Sequence, residues 1–422
     1  MPKNNFFQSI FKTFTSKPLI TAWMAICCGL LIVVIFFLAH PQVFPMHGFS
    51  GPAEWRAETP AGIRFTGDSW RYIDGGLKIL DGRPFDKTQK SYMGYIAVTA
   101  ASLSFRHSLF PLITLQIFMA CLACAAIMNA AFEANATNRF AFHAAVVTGL
   151  LFALNPEFSA WHTAVMTESL YTSAVCCIAW LAVWAMEQKQ AVRIPEVFAL
   201  TILAAFIRPT GWILLPAVAI VWAVNLLKSV WSKLVAVVCV IAIFLTMALA
   251  GRSFNEGIQK ESPSVKLYTG EVVWQEDLWR VKMPPADLSR TDLTSGLLYG
   301  LRHPVASAWL VVKRLTVMFL RIRPSYSWKH NLFLLAYHVP LTILAFIGAW
   351  LGWKKRHVRM ATTFVIAHAI VVALTFNDND GRFTLYFTPL LGLLAATAVA
   401  NILHRFTIIH YINNNTTNKE TP

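Results

Sequence analysis

Charge is scarce in this chain: Asp, Glu, Lys and Arg supply only 14% of its 422 residues, while 56% are hydrophobic. A composition so apolar excludes a soluble domain of ordinary usage and points to a membrane class. Cysteine is missing from the two longer polar stretches, residues 41–90 and 251–303. All 7 cysteines, at positions 27, 28, 121, 124, 176, 177 and 239, lie inside apolar runs. That placement argues against a disulfide framework. Cys121 and Cys124 stand on one helix face with no His, Asp or Glu nearby, which suits small buried residues better than metal or redox ligands.

Nucleotide signatures are missing as well. No Walker loop, dinucleotide fingerprint, zinc-protease helix or serine elbow occurs, which disfavours a nucleotide-driven pump. No basic stripe interleaved with aromatics appears either, so the net charge of +15 does not imply a nucleic-acid partner.

What the chain does contain is a succession of apolar runs. A bilayer core about 30 Å thick needs roughly 20 mostly apolar residues per helical crossing. Runs of that kind cover residues 19–40, 109–132, 140–154, 169–187, 194–207, 212–227, 233–250, 331–352, 358–376 and 383–402. Lipid cannot satisfy bare backbone, and continuous runs lack the alternation of a β-barrel, so the crossings are expected to be helices. The expected fold is all-α, a single polytopic membrane domain over residues 1–422 with about ten crossings. The first run is too long for the core of a cleaved signal and lacks a small-residue cleavage site, so it is expected to remain as a first helix. Residues 91–105 are short and rich in Ser, Thr and Ala, and 303–320 carry Lys313 and Arg314 in mid-run. Both suit re-entrant or interfacial helices.

Loops rich in Lys and Arg stay on the cytoplasmic side. Placing the amino terminus inside gathers Lys12, Arg139, Arg193, Lys354, Lys355, Arg356 and Arg359 on that face and turns both long loops outward. Left at the outer boundary are Arg106, Arg208, Lys313, Arg314, Arg321, Arg323, Lys329 and Arg382, with Glu157, Glu168, Asp378 and Asp380. Ionisable groups at membrane depth are usually paired or functional, so a site is expected on this rim.

Four constellations lie there. The first loop holds Thr66-Gly67-Asp68-Ser69-Trp70-Arg71-Tyr72. A carboxylate beside an arginine can take a proton from an incoming hydroxyl while cations hold a phosphate leaving group; the plainer reading is a solvated acidic loop. Asp74, Asp81 and Asp86 read as turn or surface residues. Next, Asn155-Pro156-Glu157 leads through His162 to Thr167-Glu168-Ser169 at the start of a long helix, a place where free amides alone favour an acid. His162 suits a loop hydrogen bond better than ligation. If Glu168 approaches Asp68, the pair can share a divalent metal ion or hold the acceptor. Third, Arg208-Pro209-Thr210-Gly211 breaks an apolar stretch, and Arg208 there can hold an anion or snorkel to headgroups. Finally, Asp378-Asn379-Asp380-Gly381-Arg382-Phe383 sets Arg382 at the amino end of the last helix, where amides and guanidinium both favour phosphate. Arg321, Arg323 and Lys329 with Tyr326 and Trp328 read as an interfacial belt. In the second loop, Tyr268, Trp274 and Trp279 can stack on the sugar rings of an acceptor or simply pack the loop.

Taken in order, these motifs, with Leu80-Asp81-Gly82-Arg83-Pro84 and Pro389, resemble the multi-spanning GT-C glycosyltransferases over most of the chain. The nearest group is the bacterial relatives of protein mannosyltransferases and of the lipid A aminoarabinose and galacturonic acid transferases. The resemblance implies a polyprenyl-phosphate sugar donor, a glycan, lipid or protein acceptor, inversion at the anomeric carbon, and a site on the outer face of a bacterial inner membrane. It matches Asp68 to the catalytic base, Glu168 to the second acidic position and Arg382 to a phosphate-binding cation, with Arg208 or Arg71 assisting. Many members carry a second acid directly after the first, where this chain has Ser69, so a metal-bound mechanism does not carry over with the resemblance. The alternative is a lipid-linked sugar carrier or flippase, which holds the same phosphate without breaking a bond. Transporters often show internal repeats, and no convincing one is present.

Overall fold

The computed structural model describes residues 17–40, 51–52, 54–55, 62–105, 107–187, 193–250, 263–274, 276–378 and 381–417. Lys12, Arg106, Asn379 and Asp380 lie outside them. Among the described residues the regular structure is helical, with two isolated β-bridges and no strand. Among the described residues, seven helices are long and apolar enough to cross a membrane: Pro18–Phe36, Phe110–Ala134, Thr167–Glu187, Pro209–Leu226, Trp328–Gly352, Arg356–Leu374 and Thr388–Thr407. Three shorter apolar helices, Ala141–Ala153, Ile194–Ile207 and Val230–Val240, fall on the other expected runs. The protein is an all-α polytopic membrane protein.

The chain starts with α1 (Lys17–Ala39), which buries Leu19, Ile26, Leu30 and Val34 along one stripe and leaves its other side exposed. The amphipathic α2 (Ser69–Leu80) packs on α3 (Met93–Ser104), the Tyr72 and Tyr95 rings meeting edge to face at 4.9 Å. At 12 residues α3 is about 18 Å long, too short to cross. Next come α4 (Phe110–Ala134), α5 (Ala141–Ala153) and the short α6 (Pro156–Trp161), whose start is capped by the Asn155 side chain. Helix α7 (Thr167–Glu187) is central: 83% of its spanning window is buried, against 28% for the first helix. That difference matters because the first turn of α7 carries Glu168.

Arg208 ends α8 (Ile194–Ile207) in an extended conformation, and a 3-10 turn leads into α9 (Leu214–Leu226) and then α10 (Val230–Ala250). The second loop contributes α11 (Pro263–Tyr268) and α12 (Leu293–Arg302). Helix α13 (Pro304–Leu320) follows. Its Arg314, which suggested an interfacial segment, is fully buried and donates to the carbonyls of Lys266, Glu271 and Ala373 at 2.9–3.0 Å. Burying a charge is costly unless hydrogen bonds meet it. Here they do, and the arginine ties the second loop to the end of α15. The remaining helices are α14 (Trp328–Gly352), α15 (Arg356–Leu374) and α16 (Thr388–Thr417). Helices α14 and α16 pack closely at Gly348, where any Cβ would strike the Leu394 carbonyl.

Candidate active site

Two backbone bridges assemble the site. Arg64 N donates to Thr163 O at 2.9 Å and Val165 N to Arg64 O at 3.0 Å, which lays the start of the first loop beside the segment entering α7. Thr66 Oγ1 reaches Met166 Sδ and Thr66 N donates to Ser69 Oγ, fixing the turn that presents Asp68. At the second bridge, Trp274 N donates to Asn377 O and Asn377 N to Val272 O, both at 2.8 Å. That contact anchors the segment leading to Asp378 and Arg382.

Arg382 is the hub. Its Nη1 lies 3.0 Å from Asp68 Oδ2 and 3.9 Å from Glu168 Oε1, while Nη2 is 2.9 Å from Asp378 Oδ2. Arg71, one turn along α2, pairs with Asp68 at 3.2 Å and sits over the Tyr92 ring. Behind them Arg208 Nη1 donates to Glu168 Oε1 at 2.9 Å and to Thr167 Oγ1 at 2.6 Å, its guanidinium 4.7 Å above the Tyr386 ring. Asp68, Glu168, Arg208, Arg382 and Arg71, predicted from separate motifs, therefore form one cluster. Burial works against the charge on Arg382, but Asp378, Glu168 and Asp68 outweigh it and hold the group well above the usual arginine range. Asp68 and Glu168 thus both approach the Arg382 guanidinium.

Three acids face three guanidinium groups, so the cluster is already neutral. An incoming phosphate adds negative charge, and the carboxylate most readily released from Arg382 is Asp68, which is 33% exposed while Glu168 is fully buried.

The structure also brings in residues that the motifs did not assign. Asp378 lies four positions before Arg382, and that spacing was the available signal. Tyr386 and Thr167 line Arg208, with no sequence cue beyond proximity. Gly381 begins the Arg382 turn at φ +68°, and a side chain there would run into Arg321.

Other expectations resolve as follows. Arg321 and Arg323, read as an interfacial belt, are each only 1% exposed, because Arg321 pairs with buried Glu157 at 2.5 and 3.1 Å. His330 Nε2 adds a contact to Glu157 at 2.8 Å, its ring stacked on Tyr326. Burial alone would raise the Glu157 carboxyl, yet Arg321 and His330 hold it at about 2. Trp328, by contrast, is exposed as a belt residue is. His162 Nδ1 lies 2.7 Å from Ser169 Oγ, and burial pushes its ring down to about 3. Asp74 pairs with Lys78, Asp81 with Arg83, and Asp86 caps the 3-10 turn at Gln89.

The three aromatic residues proposed to hold an acceptor come from the second loop. Tyr268 is buried edge-on against Tyr299, committed to the packing of its own loop. Trp274 sits beside the Asn377 bridge. Trp279 lines a cavity of about 420 Å³ with Val317, Leu320, Ile322, Arg323 and Asn331.

Comparison with known proteins finds no protein family that matches the chain, and no curated protein matches it.

Proposed function

We propose that this membrane protein is a glycosyltransferase that moves a sugar from a polyprenyl-phosphate donor to an acceptor hydroxyl. The observation that carries the reading is Arg382 held jointly by Asp68, Asp378 and, at longer range, Glu168, with Arg208 and Arg71 alongside. A guanidinium cluster matches phosphate geometry, and one of its carboxylate partners is accessible enough to act as a base. The order of motifs resembling GT-C enzymes supports the same assignment.

In the proposed reaction the donor phosphate takes the place of Asp68 on Arg382. Asp68 then removes the proton from the acceptor hydroxyl as its oxygen attacks the anomeric carbon in line. The new C–O bond forms while the bond from carbon to phosphate oxygen breaks, and the electron pair leaves with the lipid phosphate, stabilised by Arg382 and Arg208. A single displacement inverts the anomeric centre. Glu168 keeps Arg208 oriented, and the proton on Asp68 passes to water. The site end faces the exterior, an orientation supported by the basic residues Arg139, Lys354, Lys355, Arg356 and Arg359 gathered at the other helix ends.

Incubation of the purified protein with radiolabelled polyprenyl-phosphate sugar and candidate acceptors tests this. Release of free carrier lipid is expected, and Asp68→Asn should stop it while leaving folded protein in the membrane. A flippase would move the lipid across vesicles without ever releasing free carrier, and that result would replace the reading.

A further inference from the structure

The end of the bundle away from Arg382 carries a group that the proposed reaction does not use. Glu133 lies at the end of α4, Glu187 closes α7 and His357 opens α15, and their ligand atoms all lie within 4.8 Å of one another. His357 is 4% exposed, and neither ring nitrogen has a hydrogen-bond partner. Its Nε2 lies 2.7 Å from Glu133 Oε2, yet both atoms are buried and neither makes a hydrogen bond among the described residues. A buried imidazole left in that state is costly. Buried ligand atoms this close together, with no hydrogen bond between them, suit a shared ion.

We propose that Glu133, Glu187 and His357 bind one divalent transition-metal ion, with zinc the best match to the donor set. Imidazole with carboxylates suits zinc, and three protein ligands leave a fourth position for water. Magnesium and calcium prefer oxygen ligands and would leave the imidazole unused. The neighbouring cations do not preempt the ion. Arg356 reaches Glu187 only at 3.7 Å, with the two side chains 45% and 38% exposed, and the Lys355 ammonium is engaged by Asn135 Oδ1 at 3.1 Å. The ion joins the ends of three helices that are distant in sequence. One of them, α7, carries Glu168 at its opposite end, about 30 Å away. The site is therefore a structural clamp on the helix that supports the charged cluster.

Full-length protein in detergent, stripped with chelator and equilibrated with buffered zinc, provides the test by elemental mass spectrometry. About one zinc per chain is expected, with a rise in unfolding temperature on zinc addition. Glu187→Gln and His357→Ala should each lose the bound zinc and the temperature rise. Glu187 is partly exposed, so its variant decides the matter should His357→Ala fail to fold. X-ray absorption at the zinc edge should show nitrogen and oxygen ligands at about 2.0–2.2 Å, with imidazole scattering absent from His357→Ala. A wild-type protein that takes up no zinc, or a Glu187→Gln variant with unchanged zinc content and temperature shift, would overturn the proposal and leave Glu133 and His357 as an ion pair only.

Discussion

Two clusters of buried charge lie toward the same end of the helix bundle, and they differ in access. Glu157 and Arg321 are closed off, with side chains 8% and 2% exposed. Asp68 and Arg71 remain about one-third exposed, while Arg382, the other partner of Asp68, is 12% exposed. The first pair is paired internally and closed to a ligand. The second is balanced but open, and its exposed member can be exchanged for an incoming anion. Buried charge alone thus does not separate the two clusters; access does.

Substitutions can break that contrast. The largest effect is expected at Asp68: Asp68→Asn should lower the transfer rate by about 10²–10⁴-fold, the range for losing a general base, with little change in unfolding temperature. Glu157→Gln should do the reverse. It strands Arg321 in the interior at a cost of roughly 3–5 kcal/mol, measured by chemical or thermal unfolding, while turnover of the protein that remains folded stays near wild type. The same pair sets a pH dependence. Glu157 is held at about 2, below its ordinary 4.5, so its contribution is fully present above pH 4.5 and is lost as pH falls toward 2. Unfolding measured across that window should show a decline in wild type that Glu157→Gln lacks.

Smaller effects sharpen the comparison further. Arg382→Lys keeps the charge but loses the planar fork, and should weaken donor binding by about 10- to 100-fold, read as KM, consistent with the loss of a charge-assisted hydrogen bond. Trp279→Ala, at the cavity wall, should change acceptor KM by only about three- to tenfold, the scale of one aromatic contact, and leave donor KM unaltered.

Much of the fold was legible because lipid forces each crossing into a continuous apolar helix, and every apolar run coincides with a helix. Glu168, Arg208 and Arg382 were legible too, as charges at membrane depth, and Asp68 as an acid beside Arg71 in the first outer loop. Their convergence was not. It depends on backbone bridges at Arg64 with Ala164 and at Val273 with Asn377, whose side chains carry no pairing signal in the sequence. Arg314, Arg321 and Arg323 were misread for a related reason. An arginine at a membrane boundary has the same sequence context whether it snorkels outward or turns inward to carbonyls and a carboxylate. Tyr268 illustrates the same ambiguity for aromatics, since a ring that packs on Tyr299 and a ring that stacks on a sugar are indistinguishable without coordinates.

The most direct test is an experimental structure of the protein with polyprenyl phosphate bound. The phosphate should lie within hydrogen-bond distance of Arg382, with Asp68 detached from that guanidinium and turned toward the acceptor side. Phosphate density seated elsewhere, with Arg382 still paired to Asp68, would contradict the exchange on which the mechanism rests.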